Sequence, residues 1–368
     1  MSRKFVSLIA LTVVFVGSLF ATFKVQRVAA SETIYIYSDG SIHGTNKIVS
    51  SDNVTYIFTD NIKGSIVVYR SNIIINGNGF TLQGDGYFET SQTGIQVGTY
   101  DSHNIGNVTI LNMQVKGFLD GIRLYNSFRS KSNRISGNTI TENGFGIRLW
   151  LCENDSISGN NIVNNYVDGI KIYTPECIPY ENSYGISISG NIITGNKGCG
   201  IECEYIIYSS ISGNTIMSNR IGIGWTSLNN IIANNIEDNG IGLIVNYPSS
   251  NRIYHNNFNN NTQHVVYDWG WESTPNPNTW DDGYPSGGNY WSNYTGVDAN
   301  HDGIGDSPYI VIEDYPGKPP ANIDHYPLMN PYPIPEFPSF LILPLFMIAA
   351  LLAVTVYKRK HVLTVNRG

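Results

Sequence analysis

The feature that most constrains this chain is a six-residue phrase that recurs through its middle. Ile135-Ser136-Gly137-Asn138-Thr139-Ile140 returns at residues 157–162, 188–193 and 211–216. It then loosens to Ile231-Ile232-Ala233-Asn234-Asn235-Ile236 and Ile253-Tyr254-His255-Asn256-Asn257-Phe258. A second element recurs with it: Gly121-Ile122, Gly146-Ile147, Gly169-Ile170, Gly200-Ile201, Gly222-Ile223 and Gly242-Leu243. The period is about 20–25 residues, stretched once to about 31 by an insertion around residues 174–182, and periods in this range mean a solenoid. Each repeat holds two short runs of β-branched residues in which inward Ile alternates with outward polar side chains. Asn and Gly separate the runs and supply tight or left-handed turns. One turn of a parallel β-helix satisfies this pattern. It stacks each Ile on its predecessor and aligns Asn138, Asn160, Asn191, Asn214, Asn234 and Asn256 into a hydrogen-bonded ladder.

Composition agrees. Charged residues are only 14% of the 368, and the Ala, Leu, Glu and Lys that helical repeats need at most positions are not supplied. The net charge of −7, with Lys and Arg scattered, argues against a nucleic-acid binder. Both ends carry membrane signals. Arg3 and Lys4 precede an apolar run at residues 5–23, and Val28-Ala29-Ala30 offers small residues for signal peptidase, so residues 1–30 are expected to be a signal peptide; an uncleaved anchor is the alternative. Near the other end, residues 340–357 are apolar and Lys358-Arg359-Lys360 follows, the pattern of a single membrane-spanning helix with a cytoplasmic basic flank. The expected organisation is a β-helix at 31–262, an aromatic and Gly/Asp-rich cap at 263–330, a Pro-rich linker at 331–338 and an anchor at 339–360. The chain between the two ends then lies outside the cell, tethered to the membrane's outer face. Cys152, Cys177, Cys199 and Cys203 allow three disulfide pairings, of which Cys152–Cys177, on adjacent repeats, is weakly favoured.

The I-S-G-N-x-I and G-I repeats, with Asn76-Gly77-Asn78-Gly79-Phe80-Thr81-Leu82 upstream, resemble the right-handed β-helix proteins of the NosD-like, carbohydrate-binding and sugar-hydrolase group over about residues 65–262. The resemblance implies an all-β, single-stranded right-handed parallel β-helix. It does not fix an activity, because that group holds hydrolases, lyases, epimerases, binding modules and accessory proteins. Copper, which NosD implies, finds few soft ligands: seven His are dispersed, only His255 and His264 lie close in sequence, and Met residues are few.

Aligned on the Gly-Ile pairs, the repeats expose one outward strip. Two residues after each Gly stand Arg123, Arg148, Lys171 and Glu202, and four after it Tyr125, Trp150, Tyr173 and Glu204. Coils stack about 4.8 Å apart. Three cations and three aromatics therefore line up as a surface for stacking on sugar rings and pairing with uronate or sulfate groups. Arg123, Tyr125, Arg148, Trp150, Lys171 and Tyr173 are thus candidate binders of a polysaccharide or surface glycan, an acidic one on this charge pattern. An aromatic ladder that merely supports the stacked strands is the plain alternative. Glu202 and Glu204 are the catalytic candidates if the same face is a lyase or glycoside hydrolase, although such hydrolases use two or three clustered carboxylates. A surface-layer or adhesive scaffold with no sugar site is the third possibility.

Beyond residue 263 the chain turns to Trp269, Trp271, Trp280, Tyr284, Tyr290, Trp291 and Tyr294, enough for an aromatic core closing the last coil. Within it, Asp298-Ala299-Asn300-His301-Asp302-Gly303-Ile304-Gly305-Asp306 resembles the D-x-N-x-D-G calcium loops of dockerin and thrombospondin-type repeats. The resemblance implies a structural Ca²⁺ held by Asp298, Asn300, Asp302 and Asp306 side chains and the Ile304 carbonyl, with Tyr309 where such loops often carry Glu. Pro335-Glu336-Phe337-Pro338 ahead of the last apolar run resembles the PEF-type sorting tails of archaeal surface proteins.

Overall fold

The computed structural model describes residues 32–87, 91–99, 105–125, 132–173, 182–203, 206–246, 250–268, 278–311 and 322–334. The two apolar terminal runs, the PEF segment, Cys177, Glu204, Trp269 and Trp271 lie outside them. Among the described residues no helix is long and apolar enough to cross a membrane.

The described chain is all β and winds as a parallel solenoid with three faces. Face A carries the longer strands, among them Asp120–Tyr125, Phe145–Trp150, Ile170–Tyr173, Cys199–Cys203, Ile221–Thr226 and Ile241–Asn246. Face B is a ten-stranded sheet that includes Arg134–Ser136, Ser156–Ser158 and Ser187–Ser189. Face C includes Thr139–Thr141, Asn161–Val163 and Ile192–Thr194. The register is the one the repeats dictate. Ile122 stacks on Ile147, then Ile170, Ile201, Ile223 and Leu243, all fully buried. Each such side chain contributes about 1.5–3 kcal/mol by leaving water.

The corners explain the invariant letters. At the B–C corner Gly137, Gly159, Gly190 and Gly213 have φ of 61–65°, a region closed to most side-chain-bearing residues. Ala233 and His255 hold the same conformation where the phrase loosens. The following Asn projects inward, and its Oδ1 accepts the backbone N–H of the Asn one coil earlier. Asn138, Asn160, Asn191, Asn214, Asn234 and Asn256 form this ladder at 3.0 Å per step, and Asn289 then Asp324 continue it.

Two further ladders stand at the other corners. Asn143, Asn165, Asn196, Asn219, Asn239 and Asn261 line the C–A corner. Asn133 with Asp155, and Ser209, Asn229, Asn251 and Asn278, line the A–B corner, where Ile186 interrupts the series.

The coil continues past residue 263: strand Gln263–Asp268 pairs with Ile241–Asn246 on face A, and Tyr290–Trp291 pairs with Asn257–Asn259 on face C. Trp291 then stacks on Phe258 at 4.5 Å, Trp280 packs beside it, and Asp324 accepts the Trp291 indole N–H at 2.9 Å. Trp280 and Trp291 are both buried, so they close the end of the core, while Tyr284 is exposed.

Asp155 is the weak rung. It replaces the ladder amide with a carboxyl, its Oδ2 is buried with no hydrogen-bond partner, and burial pushes its pKa from 3.8 up to about 7. The folded chain therefore keeps a proton that the unfolded chain has lost, and stability falls as pH rises between those values. Asp155→Asn should raise Tm, with a gain that grows from about pH 4 to about pH 7 and is constant above. Thermal melts of both proteins across that range check it.

Candidate functional site

The outward side of face A is where unlike chemistry collects. Arg123, Arg148, Lys171 and Glu202 stack in register, and beside them Tyr125, Trp150 and Tyr173 do the same. The ring centroids are 5.0 Å apart for Tyr125–Trp150 and 5.5 Å for Trp150–Tyr173, tilted by 39° and 37°. All three rings are half-buried. Arg123 donates to the Tyr125 hydroxyl at 3.0 Å, and the Arg148 guanidinium lies 3.7 Å from the centre of the Phe145 ring. The six residues expected to bind are thus brought together, and Glu202 joins them. Glu204 lies outside the described residues.

The structure adds a column that alternation alone misplaces. Read strictly by twos from the strand, the residue before each Gly belongs inside. Instead the chain bends into face A at the glycine. A Cβ at Gly146 would meet the Gly169 carbonyl, Ile162 and Asn165 inside the coil, so the glycine faces the core. The preceding residue faces out, which places Asp120, Phe145, Asp168, Cys199 and Ile221 beside the strip. The clue available in the sequence was the acid one place before Gly121 and Gly169.

This column changes the electrostatics. Asp120 is fully buried and paired with both Arg123 and Arg148, the latter through Nε at 3.1 Å. Lys171 Nζ lies 2.7 Å from Glu202 Oε1. Asp168 accepts the Cys199 backbone N–H at 2.7 Å, and burial together with the facing Glu202 raises its pKa. The cations of the strip are therefore already engaged. A second aromatic pair, Tyr87 stacked on Tyr166 at 5.3 Å with Lys197 near the Tyr166 ring, stands where the chain enters face A.

Cys152 is buried and its thiol points at the Leu124 and Trp150 carbonyls. Cys199 and Cys203 are buried unpaired thiols whose pKa values burial raises.

These coils define a right-handed parallel β-helix. Residues 87–205 match the family model described as right handed beta helix region. More particularly, residues 173–296 match the model described as periplasmic copper-binding protein (NosD). The chain is 33% identical over 143 residues to a probable ABC transporter binding protein NosD of Stutzerimonas stutzeri, and 30% over 142 residues to the protein so described in Pseudomonas aeruginosa. Each alignment covers 34% of this chain and 31% of the relative, so the chain spans about a third of the length of the curated relatives it matches. Among solved structures, the mannuronan C-5 epimerase AlgE6 A-module of Azotobacter vinelandii aligns with a TM-score of 0.42 at 15% identity, over 59% of this chain and 64% of that one. Full-length tailspike protein 2 of an Escherichia coli O157:H7 bacteriophage aligns with a TM-score of 0.41 at 14% identity, over 57% of this chain and 31% of that one.

The donor set offers copper one soft ligand. Among the described residues, the cluster of three His, Cys, Asp or Glu ligand atoms within 4.8 Å of one another is Asp168, Cys199 and Glu202, with neither imidazole nor thioether. The His255 ring is engaged by the Ser286 carbonyl and stacked on Tyr332, and the His264 ring packs against Phe258 and Trp291.

Asp120 holds two guanidiniums in a poorly hydrated place, and removing one member of such a set leaves charge uncompensated. Asp120→Asn should lower stability by on the order of 3 kcal/mol, read from urea unfolding midpoints at unchanged m-value.

Proposed function

We propose that this protein binds a polysaccharide or surface glycan along face A. Tyr125, Trp150 and Tyr173 serve as stacking surfaces, and Arg123, Arg148 and Lys171 as hydrogen-bond donors beside them. The observation that carries the reading is the ladder of three half-buried rings in register on consecutive coils. Arg123 and Arg148 share the single charge of Asp120, and Lys171 is balanced by Glu202. With Asp168 beside them partly ionised, the strip keeps between zero and one net positive charge, which gives an acidic glycan a slight preference without making charge the main term. Binding should weaken only slightly with added salt.

Catalysis on the same face is the weaker reading. The Asp168 and Glu202 ligand oxygens approach within 4.8 Å, too close for the roughly 6.5–9.5 Å of an inverting glycosidase and nearer the roughly 5–5.5 Å of a retaining one. Lys171 also occupies the Glu202 oxygen that would act. The proposed place of action is outside the cytoplasm, supported by the N-terminal apolar run and by the word periplasmic in the family description matched at 173–296. Residues 339–360 would tether the protein to the membrane.

Incubation with a panel of acidic and neutral polysaccharides, followed by size-exclusion chromatography with light scattering, tests the reading. Co-elution with intact glycan is expected. Trp150→Ala should weaken affinity by roughly tenfold or more, and Arg148→Ala should weaken it further, with the coil still folded by circular dichroism. Shortened glycan would mean an enzyme. No association across the panel would leave a scaffold.

The proposal includes a structural Ca²⁺ in the cap. The loop is organised by its own acidic side chains: both Asp298 oxygens accept N–H groups of Asp302 and Gly303, Asp302 Oδ1 accepts that of Ile304, and Asp306 Oδ2 that of Ala299. The set of Asp298, Asn300, Asp302 and Asp306 with the Ile304 carbonyl suits a hard cation that takes oxygen ligands. Added Ca²⁺ should raise Tm by several degrees, as any ligand of the folded state does, and Asp302→Ala should abolish that shift. Differential scanning calorimetry with and without a chelator checks it.

A further inference from the structure

The cluster beside the aromatic ladder brings two carboxyl groups to a thiol that also packs against Ile221 and Ile244. Cys199 and Glu202 project outward from one strand, and Asp168 faces them from the coil before. One ligand atom of each lies within 4.8 Å of the other two. Asp168 and Cys199 are each only 3% exposed. The Cys199 N–H clamps Asp168 Oδ1 at 2.7 Å, so two of the three side chains are fixed by the same strand.

Two further observations point to an occupant. The thiol is unpaired and buried, with a carboxyl oxygen of Asp168 and one of Glu202 within 4.8 Å, whereas the same column becomes aliphatic at Ile221 and Ile241 in the next two coils. The column of long side chains, Arg123, Arg148, Lys171 and Glu202, also breaks at Gly224 directly after Glu202. A Cβ there would stand 3.2 Å from Cys199 Sγ, so glycine leaves room beside the buried sulfur.

We propose that Asp168, Cys199 and Glu202 bind a divalent cation of borderline softness, with zinc as the best fit. One sulfur and two carboxylate oxygens make a three-ligand site whose fourth position is left to water or a sugar hydroxyl. Tetrahedral zinc sets ligand-to-ligand edges of roughly 3.3–3.6 Å, from metal–sulfur and metal–oxygen bonds of about 2.3 and 2.0–2.2 Å. The cluster reaches that geometry by closing about an ångström. Binding releases the Cys199 thiol proton to solvent and displaces Lys171 Nζ from Glu202, so Lys171 acts as the resident counter-ion that the metal must compete with. The inference stands apart from the glycan reading: the site can fill whether or not a sugar binds.

The test is titration of the metal-stripped full chain with Cd²⁺, followed in the ultraviolet for the thiolate-to-metal charge-transfer band, with Zn²⁺ as competitor. One equivalent should develop the band and Zn²⁺ should remove it. The Asp298–Asp306 loop offers only oxygens and gives no such band. Cys199→Ser should abolish the band while the protein still melts cooperatively. If that variant does not fold, Glu202→Gln should keep a band but weaken binding about tenfold or more. Lys171→Met should tighten binding about tenfold by removing the competitor. A band that survives Cys199→Ser, Cd²⁺ affinity unchanged in both Asp168→Asn and Glu202→Gln, or no band at millimolar Cd²⁺ would each overturn the proposal.

Discussion

The fold depends on how backbone N–H groups at its corners are satisfied. Strands on the three faces pair with the coils before and after, but at each corner the chain turns out of the sheet and its amide would be stranded in an apolar interior. Burying an unpaired amide costs about 1–3 kcal/mol, and here the problem recurs at every corner of every coil. Asparagine solves it because one side chain accepts and donates at once. Asn160, for instance, accepts from the Asn138 N–H, donates to the Ile135 carbonyl behind, and donates to Asn191 ahead. Each rung needs the next, which makes the ladder cooperative along the solenoid axis and explains why it runs on to Asp324 rather than ending at a loose corner.

That requirement also divides the coil into a fixed part and a free part. Corner positions fall five apart on faces B and C in every complete repeat: 133, 138 and 143; 155, 160 and 165; 186, 191 and 196; 209, 214 and 219; 229, 234 and 239; 251, 256 and 261. From the third of each set to the first of the next, along face A and its loop, the distance runs from 10 to 21 residues. Insertions are therefore admitted only where they leave all three ladders intact. Face A alone can change length and composition without costing the fold a ladder hydrogen bond, and it is there that aromatic rings, ion pairs and the thiol gather.

The same division governs what could be read from the sequence. The B–C ladder was legible because glycine precedes most of its rungs and Ile brackets them. The C–A ladder carried an equally regular signal, Asn at a constant five residues further on, but no fixed neighbour draws attention to it. The A–B ladder is obscured by Asp155, Ile186 and Ser209. On face A, alternation correctly set Arg123, Arg148, Lys171, Tyr125, Trp150 and Tyr173 outward. It failed one residue before each glycine because period two assumes an unbent strand, and the bend at Gly121 and Gly169 reverses the sense of the residue before it. Asp120 and Asp168 were hidden for that local reason, and with them the neutralisation of the strip.

That neutralisation alters what the strip can recognise. Three unpaired cations on adjacent coils would make a polyanion site governed by long-range attraction and lost in salt. Two guanidiniums fixed on one buried carboxylate act differently: their positions are held by Asp120, half of their charge is offset, and the N–H groups left over point in defined directions. Discrimination then falls to shape and hydrogen bonding beside the Tyr125–Trp150–Tyr173 rings rather than to net charge. Such a surface suits a ligand with flat apolar faces and a regular array of hydroxyl groups. Asp120, paired with both arginines at once, is what fixes those N–H groups in place.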